Sequence, residues 1–112
     1  MKTDEFVSAI QSYVLESAVD STISNLAHPP GRRIDPDMSA RAEWFKSLSD
    51  GEAEMLRAVA RDAAHSAVFG FLAVLDGARV IDPEKGTFEL YHLGRQKSLV
   101  NAPGTDLHDM LG

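Results

Sequence analysis

The stretch from Ser49 to Gly77, SDGEAEMLRAVARDAAHSAVFGFLAVLDG, constrains the fold more than any other part of the chain. Ser49 followed by Glu52 has the S-x-x-E spacing of a capping box, in which each side chain satisfies a free backbone N–H of the other residue. Asp50, Glu52 and Glu54 add negative charge at the positive end of a helix dipole. Asp76-Gly77 supplies the stop, because glycine readily takes the left-handed conformation that ends helices. One long central helix is therefore expected. β-Branched residues are too few for a strand reading of its second half.

At about 100° per residue, Leu56, Ala60, Ala63, Ala67, Phe71 and Val74 share one side of that helix. Glu54, Arg57, Arg61 and His65 fall on the opposite side. Beyond His65 the polar face ends, since Val68, Phe69 and Leu72 continue its line. Ala67 to Leu75 is then apolar all round and is expected to be enclosed by neighbours. Ala60, Ala63, Ala67 and Gly70 form a flank of small residues. A glycine inside a helix costs about 1 kcal/mol relative to alanine, so Gly70 points to a close approach there. Two approaches fit: an intramolecular helix contact, or a two-fold crossing in a homodimer.

Thr3 reads as the cap of a first helix, with Asp4 and Glu5 in its first turn. Its apolar residues form two stripes, Phe6-Val7-Ile10-Val14 and Leu15-Val19-Thr22-Leu26, displaced by more than a quarter turn. The helix either bends near Asp20-Ser21 or meets different neighbours along its length. Ala27 to Asp37, AHPPGRRIDPD, is a loop on turn chemistry. Pro36 then opens a short helix running to Ser47, with Trp44 expected as the largest anchor onto the long helix.

After Gly77 the period changes. Ala78–Ile81 reads as a short strand, Asp82-Pro83-Glu84-Lys85-Gly86 as a turn, and Thr87–Leu93 as a second strand. Gly94-Arg95 fits a two-residue type II′ hairpin loop, which pairs Leu93 with Gln96, His92 with Lys97 and Leu90 with Leu99. One face of this small antiparallel meander is expected to cover the long helix. Thr105 caps a last helical turn through Leu111. The expected class is α+β: N-terminal helices including a long central one, a two- or three-stranded antiparallel β-meander, and a short C-terminal helical turn. Residues 1–112 are expected to form a single domain.

With no cysteine among 112 residues, disulfides and thiolate metal sites are excluded, and a reducing cytoplasm is the expected location. The net charge of −6 argues against nucleic-acid binding. Ala67–Leu75 falls short of the roughly 20 apolar residues of a membrane span, and MKTDEF lacks a signal-peptide core, so no membrane role is expected.

No nucleophile elbow, phosphate loop or spaced histidine pair is present. His65 sits where the polar face closes; with Arg57, Arg61 and His92 it forms the candidate ligand-binding set, and a depressed pKa would suit it to general-base work. Tyr91, Arg95 and Lys97 are the candidate partner contacts. In TDLHDM, Asp106 and Asp109 lie one turn apart and could share a cation, with His108 pointing elsewhere. A solvated terminus explains them more simply, and no metal or cofactor is expected. These features favour a small non-enzymatic protein that binds a protein or small ligand, as a homodimer. The alternative is a small enzyme or ligand-binding domain with a pocket near Arg61 and His65.

Overall fold

The computed structural model describes residues 1–33, 35–84 and 86–112. Ile34 of the proline loop and Lys85 of the expected turn lie outside the described residues. In order, the chain forms α1 (Thr3–Ile10), a π-helical segment (Gln11–Glu16), α2 (Ser17–Ala27), α3 (Pro36–Lys46), α4 (Asp50–Leu75), β1 (Tyr91–Leu93), β2 (Lys97–Leu99) and α5 (Leu107–Met110). The class is α+β, with a long central helix and a two-stranded antiparallel sheet.

The capping box on α4 forms as its spacing requires. Ser49 Oγ accepts from the Glu52 N–H at 3.1 Å, and Glu52 Oε1 accepts from the Ser49 N–H at 2.9 Å. Gly77, at φ 79°, ends the helix in the left-handed region. α3 starts with Pro36 at its first turn, and Asp35 Oδ1 accepts from the Asp37 N–H at 3.2 Å.

α1, the π segment and α2 make one continuous helix. On a regular α-helix Leu15 would lie about 80° round from Val7. The i→i+5 turns of the π segment rotate less per residue, which brings Leu15 into line. Val7, Leu15 and Val19 are accordingly all buried, whereas Val14 is 47% exposed. A widened turn, not a bend at Asp20-Ser21, joins the two displaced stripes into one face.

The core lies where α1, the end of α4, α5 and the base of the hairpin meet. Val7, Leu72, Val100 and Leu107 are its buried members, with Phe6, Val68, Leu75, Leu90 and Leu111 packed around them. Thr3 does not cap α1. Its hydroxyl donates to the Val100 carbonyl at 2.6 Å and ties the helix start to the hairpin, while Glu5 Oε2 accepts from the Lys2 N–H at 3.3 Å.

Several expectations fail for identifiable reasons. Ala78–Ile81 is not a strand, and only Tyr91–Leu93 of the second expected strand pairs. The register is shifted by one: Tyr91 faces Leu99, His92 faces Ser98 and Leu93 faces Lys97 across a three-residue loop. Gly94 is not left-handed, which a type II′ turn requires. The Val100 N–H donates to the Leu90 carbonyl at 2.7 Å, so burial of Val100 sets the register. The base of the hairpin docks on the core through Leu90 and Val100, while its strands are largely exposed and, among the described residues, do not cover α4. Trp44 is 51% exposed, and α3 packs on α2 rather than on α4, so the tryptophan is not the anchor expected. α3 lies on α2 through buried Ala42, and Trp44 sits about 200° round from it.

The second half of α4 is not enclosed either. Gly70, Leu72 and Ala73 are buried, but Ala67 is exposed and Phe71 is 65% exposed. Arg57 and Arg61 reach across to Asp20 and Glu16, turning the polar face toward α2 and the Ala67–Phe71 line outward. Gly70 does allow a close approach, but by the Arg79 guanidinium of the same chain. Among the described residues α4 is the one helix long and apolar enough, by length and composition alone, to cross a bilayer.

Candidate functional site

Two features of the surface stand out, one polar and one apolar. The polar one begins at Asp76, the C-cap of α4, whose side chain is 1% exposed. Its Oδ2 accepts from the His108 backbone N–H at 2.9 Å and lies 2.6 Å from His108 Nδ1. A carboxylate only accepts, so Nδ1 carries the proton of this bond. That bond raises the His108 pKa above its ordinary 6.5; burial opposes it, and the charges of Asp109, Asp76 and Asp106 add to it. His108 Nε2 faces Asp109 Oδ1 at 3.4 Å.

Asp76 Oδ1 is buried without a hydrogen-bond partner. A buried polar atom left so costs about 1–3 kcal/mol, and more when charged. The exposed carboxylate of Asp106 completes the group: ligand atoms of Asp76, Asp106 and His108 lie within 4.8 Å of one another. Asp76 also borders a cavity of about 510 Å³ shared with Leu75, Ile81, Phe88 and Asn101.

The apolar feature is a ridge on α4. Met55, Val59, Ala63, Ala67 and Phe71, spaced by four, are all exposed. Its far end borders a groove of about 390 Å³ between α1 and α4, lined by Phe6, Ile10, Val14, Val68 and Leu72 together with Ala67 and Phe71.

The residues singled out from the sequence fall as follows. Arg61 donates to Glu16 Oε1 from Nε at 3.1 Å and Nη2 at 2.8 Å, and Arg57 donates to Asp20. His65 stacks on Phe69 with ring centroids 6.1 Å apart; Phe69 in turn meets the His108 ring edge-on at 5.3 Å. Arg57, Arg61 and His65 thus share one side of α4, but none of them lines either cavity. His92 is exposed on β1, its ring beside Gly94. Tyr91, Arg95 and Lys97 are all exposed on the hairpin; Lys97 Nζ sits 4.3 Å from the Tyr91 ring centroid, the Tyr91 hydroxyl donates to Glu89, and Arg95 lies in the loop between the strands.

Sequence reasoning found Asp106 and His108 but paired Asp106 with Asp109. It missed Asp76, 32 residues upstream of His108, because an Asp-Gly pair at a helix end explains itself locally. Its only available signal was an acid at the negative end of a helix dipole, where a cation is the favoured neighbour.

No protein family, curated protein or solved structure matches this chain.

Proposed function

We propose that this chain is a non-enzymatic, cytoplasmic binding protein that works as a homodimer, with α4 crossing its counterpart at Ala63 and Ala67. The observation that carries the reading is the amount of surface left open. A folded monomer of 12.2 kDa is expected to expose about 6,100 Å². This chain exposes 8068 Å², an excess of about 2,000 Å² that is the scale an obligate subunit buries in its interface. Its radius of gyration is 18.1 Å, against about 13 Å for a compact domain of this length.

A second copy is the favoured occupant because the ridge and the groove that borders its far end lie on one surface and can serve as knob and hole for each other. A two-fold interface demands that self-complementarity. Residues spaced by four form the ridges that interlock at crossings of about −50°, and the alanines at the centre let the backbones close up. Phe71 of one subunit then enters the groove by Ile10 and Val14 of the other. The lining is apolar, so the groove itself sets no charged side chain against the incoming Phe71. The exposed hairpin, basic through Arg95 and Lys97 on an acidic chain, suits an acidic protein partner. The alternative pocket at Arg61 and His65 is less favoured, since Glu16 and Asp20 already engage both arginines.

Sedimentation velocity at micromolar concentration tests the reading. The expected species has twice the 12.2 kDa chain mass, and Phe71→Asp yields monomer with the far-ultraviolet dichroism retained. A wild-type monomer would overturn it. So would a monomer that pellets with phosphatidylcholine vesicles, which would assign the ridge to a lipid surface.

A further inference from the structure

We propose that Asp76, Asp106 and His108 hold a divalent transition-metal cation of the Zn²⁺ type, which fastens the C-terminal segment to the end of α4. Three donors converge within 4.8 Å from two parts of the chain that sequence separates. Convergence of acids is not enough by itself. The independent observation is Asp76: its carboxylate is almost wholly withdrawn from solvent, and Oδ1 has no hydrogen-bond partner. A charged oxygen in that position is unmet unless a cation or a water joins it.

The donor set selects the cation. One imidazole nitrogen and two carboxylates suit zinc-like ions, whereas calcium and magnesium call for more oxygens than are here. Asp76 Oδ2 is held by the His108 backbone N–H, which leaves Oδ1 free to ligate. At His108 the cation takes the place of the Nδ1 proton. That proton leaves to solvent as the cation binds, so the 2.6 Å hydrogen bond from Nδ1 to Oδ2 is given up while the backbone N–H keeps its hold on Oδ2. Asp106 is exposed, so the cation enters from the solvent side and water completes its shell. The dipole at the C-terminal end of α4 adds attraction. None of this depends on the state of association.

Isothermal titration of the chelator-treated full chain with Zn²⁺ is the test. One equivalent is expected to bind with micromolar or tighter affinity, and a saturating excess of about 100-fold over Kd is expected to raise Tm by roughly 10 °C. His108→Ala removes a packed side chain and perturbs the fold as well as the site, so Asp106→Asn is the informative variant. It is expected to keep the dichroism and the metal-free Tm of the wild type while losing at least about tenfold in Zn²⁺ affinity. Asp109→Asn is expected to bind as the wild type does, since the site uses Nδ1 and not Nε2. Absence of Zn²⁺ binding to the wild type would overturn the site and leave a water on Asp76 Oδ1. Loss of binding in Asp109→Asn with none in Asp106→Asn would overturn the ligand assignment.

Discussion

Arg61 on α4 meets a single oxygen of Glu16 with both Nε and Nη2. Four residues earlier on α4, Arg57 meets Asp20, four residues later on the N-terminal helix. The matched spacing on two antiparallel helices fixes which side of α4 turns inward. Both members of the Arg61 pair are more than a third exposed, so its contribution is discounted for solvent. A double-mutant cycle with Arg61→Ala and Glu16→Ala is expected to give a coupling of about 0.5–1 kcal/mol at low salt. It is expected to fade near 1 M salt, where the Debye length is about 3 Å. Urea titrations of the four proteins measure it, and a salt-independent coupling would refute an electrostatic origin.

Leu15 and Val14 are neighbours in sequence, yet only Leu15 is fully buried. Leu15→Ala is expected to destabilise the fold by about 2–5 kcal/mol, whereas Val14→Ala costs about 1 kcal/mol or less. An unbroken α-helix would place both residues differently against Val7. Equal losses in urea unfolding would therefore argue against the widened turn. Val14 borders the groove of the proposed dimer contact, so its variant is compared with the wild type at matched association state, checked by sedimentation.

What could be read from the sequence was what neighbouring residues decide among themselves. Ser49 with Glu52, Asp35 with Pro36, and Gly77 set their helix ends through bonds spanning a few residues, and they are where spacing placed them. The choice of buried face was not local. Two stripes on the first helix were visible, but joining them needed the extra residue in the π turn, which no residue type between Gln11 and Glu16 announces. Trp44 looked like an anchor from size alone; α3 instead chose its Ala42 side because α2 comes close there. The hairpin register turned on the burial of Val100, a tertiary event that outweighed an apparent Leu90–Leu99 match. The Asp76–His108 contact needed two helix ends to meet in space.

Glu52 carries the pH dependence of the α4 start. Hydrogen bonds from the Ser49 backbone and side chain hold its carboxyl below the ordinary 4.5, against an opposing effect of burial. The folded value is depressed, so the contribution is present above 4.5 and is lost as pH falls through the folded value. Helical dichroism of the wild type is expected to decline over that acidic window more than that of Glu52→Gln. Superimposable acid titrations of the two proteins would remove the capping box as a pH-dependent element. Ser49→Ala, which deletes the other half of the box, is expected to cost about 1 kcal/mol at neutral pH.

Asn101 joins three segments through one amide. Its Nδ2 donates to the carbonyls of Leu75 and Phe88, both at 2.9 Å, and its Oδ1 accepts from the Leu90 N–H at 2.8 Å. The end of α4, the strand approach and the hairpin base are thereby closed around the same side chain. Each bond is worth about 1 kcal/mol net, and loss of the amide also strands partly buried backbone groups. Asn101→Ala is expected to cost about 2–3 kcal/mol. Asn101→Asp isolates the donor role, because a carboxylate still accepts from Leu90 but cannot donate to either carbonyl. It is expected to lose at least as much as the alanine variant, since it sets negative charge against two carbonyl oxygens. Amide hydrogen exchange gives the local readout: the Leu90 N–H should lose protection in Asn101→Ala and keep more of it in Asn101→Asp under conditions where both remain folded. Equal protection in the two variants would mean that Asn101 fills space at this junction instead of bonding it.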